Sequence, residues 1–276
     1  MLVFPNCKIN LGLRILNKRD DRYHNIETVF YPVPLKDVLE IIPSTDITPI
    51  NFSSSGLLIA CETENNLCIK AYQLLRADFP ELPAVKIHLH KVIPMGAGLG
   101  GGSADAAFTL QLINHQFNLN LSTIQLINYA LQLGSDCAFF ILNTPCTGTG
   151  RGEILDQITV DLSGHQVILV NPYIHVNTGQ AFAGLTLNPE NSNLPSLKDI
   201  IKQPIFTWQN HLKNDFEEPV FKLYPTIKEI KESLYKIGAL YASMSGSGST
   251  VYGIFKKQLH PQINFNSTYS VSKHSL

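Results

Sequence analysis

The chain predicts an α+β fold, and three patterns in it carry that expectation. Period-two alternation of apolar and polar residues marks strands, most clearly over 8–15 and 85–93. Helical periodicity marks 67–77, 103–117, 122–134 and 225–238. The two kinds of segment are mixed without the strict βαβ alternation that a doubly wound parallel sheet requires. With 276 residues, 44% of them hydrophobic and 16% charged, the chain can bury a sizeable core in one large or two modest domains.

Each element has a local cause. Ile9, Leu11, Leu13 and Ile15 alternate with Lys8, Asn10, Gly12 and Arg14, which predicts a half-buried strand with Lys8 and Asn10 on one face. NKRDDRYHN (17–25) reads as a polar loop, and ETVFY and DVLEII as strands closed by prolines. Asn66 is placed to cap a helix from Leu67 to about Ala77, with Leu67, Ala71, Leu74 and Leu75 as its apolar stripe and Pro80 beyond its end. VKIHLHKVI (85–93) runs straight into PMGAGLGGGSADAA (94–107), from which Ser103 is expected to cap a helix carrying Ala107, Leu110, Ile113 and Phe117. Ser122 and Gly134 bracket the next helix, with Ile124, Ile127 and Leu131 expected inward.

The text NTPCTGTGRGE (143–153) turns to threonine, proline and glycine and marks the expected domain boundary, giving a first domain over 1–155 and a second over 156–276. Beyond it, QVILVNP (166–172) is a buried strand. PTIKEIKESLYKIG (225–238) is an amphipathic helix with Ile227, Ile230, Leu234 and Ile237 inward and Gly238 as its stop. A second glycine cluster, MSGSGST (244–250), leads into the strand VYGIF.

Charge and cysteine usage exclude several classes of function. Lys and Arg number 21 against 22 for Asp and Glu, so no net positive field draws in nucleic acid or an anionic membrane, and any anionic ligand must be held locally. The five cysteines are odd in number and form no C-x-x-C pair, which argues against a disulfide framework or a zinc site and fits a reducing cytoplasm. The N-terminus lacks a basic segment before an apolar one, and every apolar run falls short of a membrane span, so a soluble, untargeted chain is expected.

The densest signal is the loop, with five glycines between Gly96 and Gly102. Glycine loses more backbone freedom on folding than any other residue, so such a run marks backbone that bends sharply or lies against something bulky. A G-x-G-x-x-G occurs at Gly96, Gly98 and Gly101, but a dinucleotide fold also wants an acid about 20 residues on, and Ala106–Ser135 contains none. A Walker loop wants Lys after its last glycine, whereas Gly102 is followed by Ser103 and Ala104. Between Val92 and Gly150 there is no Lys or Arg, and the only acids are Asp105 and Asp136. A phosphate here must therefore be held by backbone N–H groups and a helix N-terminus, worth roughly half a positive charge, with a metal ion and a lysine supplied from elsewhere. The plain alternative is a glycine turn kept for close packing.

Asp136 lies in LGSDCAFFIL with apolar neighbours on both sides, and is either an N-cap satisfied by backbone or a functional base; spacing alone leaves the two equal. Lys8 is either a solvated lysine at a sheet edge, the usual case, or the missing cation. His88 and His90 belong to a strand's polar face, and two histidines without a third ligand make a poor metal site. Cys137 has no activating base to make it a nucleophile.

PNCKINLGLRI, DRYHNIETVF, PMGAGLGGGSADAA, GSDCAFF and MSGSGST, in that order, resemble the GHMP small-molecule kinases over nearly the whole chain, NDFEEPVF (214–221) included. The likeness is strongest to the branch that acts on cytidine diphosphate methylerythritol, in non-mevalonate isoprenoid precursor synthesis. It implies a two-domain GHMP kinase fold, with an N-terminal ribosomal-protein-S5-domain-2-like α/β domain that carries ATP binding and catalysis and a C-terminal ferredoxin-like α+β domain. It implies ATP and Mg²⁺ as cofactors, the metal ligands staying unassigned, and a small-molecule partner handled by a monomer or homodimer.

Residue by residue, the resemblance makes Asp136 the general base on the substrate hydroxyl and Lys8 the lysine beside it. It gives Pro94, Met95, Gly96, Ala97, Gly98, Leu99, Gly100, Gly101, Gly102, Ser103 and Ala104 to the ATP phosphates. Asn66 and Lys91 fall on the adenine side. Tyr23 and His24 hold a cytosine by stacking and hydrogen bonding, Phe182 covers its other face, and Asn10 and Thr178 complete the substrate contacts. MSGSGST is the motif that packs close to the phosphate loop. Arg22, where the family has glycine, and Ala138, where it has proline, depart from the pattern. Other GHMP kinases acting on mevalonate, homoserine or a sugar, and a nucleotide-binding protein without catalysis, are the competing readings; the Tyr23–His24 loop and the presence of Asp136 argue against them.

Overall fold

The computed structural model describes residues 1–21, 23–59, 62–185 and 194–276, and there strands and helices are mixed as an α+β chain requires. The chain divides into two compact units, each discontinuous in sequence: Met1–Cys7, Leu35–Met95 and Gly100–Asn143 form one, and Lys8–Pro34, Gly96–Leu99 and Thr144–Leu276 the other. Arg22 lies outside the described residues.

The first unit has a four-stranded sheet in the order Leu2–Val3, Val38–Pro43, Val85–Lys91, Ile50–Gly56. Val38–Pro43 runs antiparallel to Val85–Lys91 with Leu39 opposite Leu89 and Ile41 opposite Ile87, while Ile50–Gly56 runs parallel to Val85–Lys91. Val85, Ile87 and Leu89 are buried, and His88 and His90 point outward to bond Ser53 and Ser55, as the alternation predicts. Helices Leu67–Asp78, Gly101–Gln116, Thr123–Leu133 and Cys137–Leu142 pack on one another. They bury Ala71, Leu75, Ala107, Leu110, Ile113, Phe139 and Phe140.

The second unit carries two four-stranded sheets. One contains almost all of Asn6–Lys18 and His24–Lys36, followed by Cys146–Thr149 and Ile154–Gln157. The other is antiparallel throughout, in the order Tyr241–Met244, Val251–Lys256, His165–Asn171, Ser270–Ser275. Helix Pro225–Lys236 packs on this sheet through Ile227, Ile230 and Leu234, against a core that includes Val251, Phe255, Ile168 and Val170.

Three expectations change. The strand from Asn6 is buried on both faces through Ile15, because Leu13 bridges to Asn214 and the polar Lys8, Asn10 and Arg14 are paired inside. The helix after the glycine loop starts at Gly101, with Gly100 at φ 70° as its N-cap residue, so Ser103 sits inside the first turn. Leu126 and Ala130 are the buried positions of Thr123–Leu133 and Ile124 is exposed, a rotation of the inward face away from the predicted stripe. Ile50–Gly56 and Ser270–Ser275 escape a periodicity reading because they are edge strands, polar in sequence and half-exposed.

Candidate active site

Gly96, Gly98 and Gly100 all have positive φ, at 65°, 80° and 70°. These left-handed glycines punctuate a loop that runs directly into the N-terminus of the sixteen-residue helix Gly101–Gln116, the kind of backbone from which anion-binding concavities are built. The first half of the loop is pressed against the second glycine cluster. A Cβ on Gly98 would lie 1.8 Å from the Ser245 carbonyl oxygen, and one on Gly248 would lie 2.1 Å from the Ala97 carbon and the Gly98 nitrogen. The Ser245 hydroxyl donates to the Gly98 carbonyl (2.8 Å), and the Thr250 N–H to that of Ala97 (3.2 Å). These glycines are required by the approach of two backbones.

That second cluster is braced in turn by NDFEEPVF. Asn214 Nδ2 donates to the carbonyls of Met244 (3.0 Å) and Gly246 (2.8 Å), and Glu217 Oε1 accepts from the Ser243 hydroxyl and the Met244 N–H, both at 3.0 Å. Neither Asn214 nor Glu217 stands out from sequence spacing; only their place in a quoted motif hints at them.

Lys8 is buried, so the solvated reading fails. Its Nζ donates to Asn10 Oδ1 (2.6 Å) and lies 5.3 Å from the centre of the Phe30 ring, and its backbone N–H donates to the Leu99 carbonyl (2.9 Å). Asn10 Nδ2 donates to the Thr28 hydroxyl (2.9 Å), which donates to the Gly12 carbonyl (2.6 Å). A lysine so fixed keeps its charge at one place and loses little rotamer freedom on binding an anion. Asp136 immediately precedes helix Cys137–Leu142 but makes no side-chain cap bond, which removes the capping explanation for it. Burial pushes the neighbouring Cys137 thiol up to about 12, so it stays protonated and inert.

Lys91 is the hinge of a buried ionic triad that sequence reasoning missed. Its Nζ lies 2.5 Å from Asp37 Oδ2 and 2.6 Å from Asp105 Oδ2. Asp37 Oδ1 accepts the N–H groups of Val92 (2.6 Å) and Ile93 (2.8 Å), the two residues before Pro94. The triad thereby ties the strand that enters the loop to the helix that leaves it. Burial opposes the Lys91 charge, but Asp105 and Asp37 overcome it and hold the ammonium above its usual range. Asp37 looked like the first residue of an ordinary strand, and no sequence signal marks its partnership with residues 54 and 68 positions away.

Asn66 caps Leu67–Asp78 as predicted, its Oδ1 accepting the Cys68 N–H at 2.9 Å. Asn66, Lys91, Met95, Gly102 and Asp105 line one cavity of about 150 Å³. His24 and Phe182 stack directly, ring centres 4.8 Å apart at 16°, and Phe182 meets Phe216 edge-on. Burial lowers the His24 pKa, with Lys18 adding to it, so the imidazole is neutral at pH 7 and can both donate and accept. Tyr23 is exposed and faces the Arg151 guanidinium at 4.9 Å rather than Phe182. Thr178 opens helix Thr178–Ala183 and its hydroxyl lies 3.3 Å from that of Ser247.

Residues 66–144 match the model of the GHMP kinases N terminal domain, and residues 192–263 that of the GHMP kinases C terminal. A 4-diphosphocytidyl-2-C-methyl-D-erythritol kinase of Azobacteroides pseudotrichonymphae is 50% identical over 266 residues, 96% of this chain and 97% of that one. The chain belongs to the GHMP kinase family. A crystal structure of a 4-(cytidine 5'-diphospho)-2C-methyl-D-erythritol kinase superposes with a TM-score of 0.74 at 28% identity, covering 92% of this GHMP kinase and 89% of that chain. A homoserine kinase from Cytophaga hutchinsonii reaches 0.71 at 14% identity, over 98% and 94% of the two chains, a likeness of fold alone.

The two-domain α+β fold expected of a GHMP kinase is therefore the fold this chain has, and kinase chemistry brings ATP as the phosphoryl donor. The loop suits that donor: backbone N–H groups, a helix N-terminus and glycines that leave no side chain in the seat. Among the described residues no three His, Cys, Asp or Glu side chains cluster as a metal cage. Among the described residues no helix is long and apolar enough to cross a membrane.

Proposed function

We propose that this GHMP kinase transfers the γ-phosphoryl group of ATP to the 2-hydroxyl of 4-diphosphocytidyl-2-C-methyl-D-erythritol, a step of the non-mevalonate route to isoprenoid precursors. The observation that carries this reading is the half-identical relative of that activity, matched over nearly the full length of both chains. The local chemistry supports it. The glycine loop offers phosphate a seat with no cation of its own, and Lys8 is a buried, fixed cation.

Phosphoryl transfer asks a protein mainly for positioning and for stabilisation of charge, with an acid to accept the hydroxyl proton. On this reading Asp136 takes the proton from the substrate hydroxyl. Lys8 steadies charge on the group in flight. Residues 94–104 hold the triphosphate through their N–H groups, with Asn66 and Lys91 on its adenine side. Mg²⁺ bound to the triphosphate supplies the neutralisation that the loop lacks. Tyr23, His24 and Phe182 grip the cytosine, the neutral imidazole providing selectivity that stacking alone does not. Asn10 and Thr178 add polar contacts to the substrate. Residues 1–155 form the ATP-binding and catalytic domain and 156–276 the C-terminal domain, in a cytoplasmic enzyme that works as a monomer or homodimer.

Asp136→Asn and Lys8→Ala test the assignment. Each is expected to lower kcat by about a hundredfold or more while leaving the thermal unfolding profile close to that of the parent. Turnover within a few-fold of the parent in both variants would remove these residues from the chemistry.

A further inference from the structure

The row of hydrogen bonds behind Lys8 is fixed in direction at both ends. A lysine ammonium only donates, and a backbone carbonyl only accepts. At one end Lys8 Nζ donates to Asn10 Oδ1 (2.6 Å); at the other the Thr28 hydroxyl donates to the Gly12 carbonyl (2.6 Å). A hydroxyl carries a single proton, so toward Asn10 Thr28 can only accept, and Asn10 Nδ2 donates to it at 2.9 Å. The amide of Asn10 therefore has one orientation, oxygen toward Lys8 and NH₂ toward Thr28. Lys8, Asn10 and Thr28 are 3%, 1% and 0% exposed, so bulk water offers no substitute partner.

The backbone is shaped around this row. Lys8 and Asn10 share a strand face by their spacing. Gly12, next in that series, is left-handed at φ 75°, and a Cβ on it would lie 2.7 Å from Leu212 Cδ1. The Asn10 carbonyl accepts from the Tyr252 hydroxyl (2.7 Å), a phenol that burial holds well above its usual range and so keeps as a donor. Asn10 is thus held at its backbone by Tyr252 and at its side chain by Thr28, and it holds the Lys8 ammonium in turn.

We infer that Thr28 is a positioning residue for phosphoryl transfer, its hydroxyl setting through Asn10 where the Lys8 ammonium stands, a role that rests on the reading of Lys8 as the cation at the transferred group. A cation already in place stabilises developing charge without reorganising at the moment of reaction, so a loosened Lys8 lowers kcat more than it weakens nucleotide binding.

Thr28→Val keeps the shape of the side chain and removes the hydroxyl; Thr28→Ser keeps the hydroxyl and removes the methyl. Both are assayed alone and combined with Asn10→Ala, on whichever of 4-diphosphocytidyl-2-C-methyl-D-erythritol, mevalonate and homoserine the parent phosphorylates. Thr28→Val is expected to lower kcat about tenfold, the size of one hydrogen bond, with KM for ATP within about twofold of the parent. Thr28→Ser is expected to stay within about threefold of the parent, and Thr28→Val to change kcat less than about twofold when added to Asn10→Ala, because the two act through one row. Nitrogen-15 spectra of the parent, assigned by triple resonance, read the Asn10 side-chain amide directly, whether or not Thr28→Val folds. Its protons are expected to exchange about a hundredfold more slowly than those of exposed asparagines. Unchanged kcat in Thr28→Val, equal losses in Thr28→Val and Thr28→Ser, a full further loss on top of Asn10→Ala, or free exchange of the Asn10 amide in the parent would each overturn the inference. Transfer to mevalonate or homoserine in place of the cytidylated substrate contradicts the proposed acceptor instead, and the role of Thr28 is then decided on the acceptor that is used.

Discussion

Lys91 holds two carboxylates where water does not reach, and its removal has a predictable cost. Lys91→Met leaves Asp37 and Asp105 facing each other without a cation, and breaking one side of a buried ion pair typically costs about 3–5 kcal/mol. Chemical denaturation should show a loss of that size, and a loss below about 1 kcal/mol would mean that the carboxylates are hydrated or protonated without it. The triad also shows where residue-level reading stops. The absence of Lys and Arg between Val92 and Gly150 said that the loop's cation comes from elsewhere, and Lys8 was nameable from its strand face. The Asp37–Lys91–Asp105 cluster was not, because a buried ion pair depends on which strands become neighbours, and nothing in the local text of DVLEII records that Val38–Pro43 pairs with Val85–Lys91. Asp136 lay between these cases: apolar flanks marked it as unusual, the missing cap bond now removes one explanation, and only the family resemblance names the other.

Among the elements, the two glycine clusters act as one device. Gly248 has no positive φ, so a methyl group there meets only a steric obstacle, the backbone of Ala97 and Gly98 at about 2.1 Å. Gly248→Ala should displace the phosphate seat, raising KM for ATP by about tenfold or more, since misplacement of about an ångström in a positioning element costs on the order of a hundredfold in rate. Steady-state kinetics with ATP varied would show it; unchanged KM and kcat would mean that the contact is not part of the nucleotide seat. Long, strongly periodic elements were legible in the sequence: Leu67–Asp78, Pro225–Lys236 and Val85–Lys91 form where apolar spacing puts them. The start of Gly101–Gln116 was not. Ser103 is the better cap by propensity, yet the loop needs Gly100 in a left-handed conformation, and that tertiary requirement overrides the local preference. The inward face of Thr123–Leu133 was misread for a related reason: the Ser122–Gln125 capping box fixes its start, but which side is buried is decided by Cys137–Leu142 and the other helices packed on it.

For the whole molecule, fold and substrate separate. A homoserine kinase shares the architecture at low identity, so the architecture does not choose the acceptor; the half-identical relative, a 4-diphosphocytidyl-2-C-methyl-D-erythritol kinase, points to a cytidylated one. The family was legible because its glycine loops are dictated by close backbone approach, which leaves sequence little freedom. The acceptor side was less legible: Tyr23, His24 and Phe182 each fit an ordinary loop or core residue, and in the fold His24 stacks on Phe182 while Tyr23 faces Arg151. The most direct measurement is a coupled ADP-release assay with ATP and Mg²⁺, offering 4-diphosphocytidyl-2-C-methyl-D-erythritol, mevalonate and homoserine in parallel, with the product read by phosphorus NMR. ADP release is expected with the cytidylated substrate alone, together with a new phosphomonoester on its 2-hydroxyl. Turnover of mevalonate or homoserine with the cytidylated substrate left untouched would contradict it.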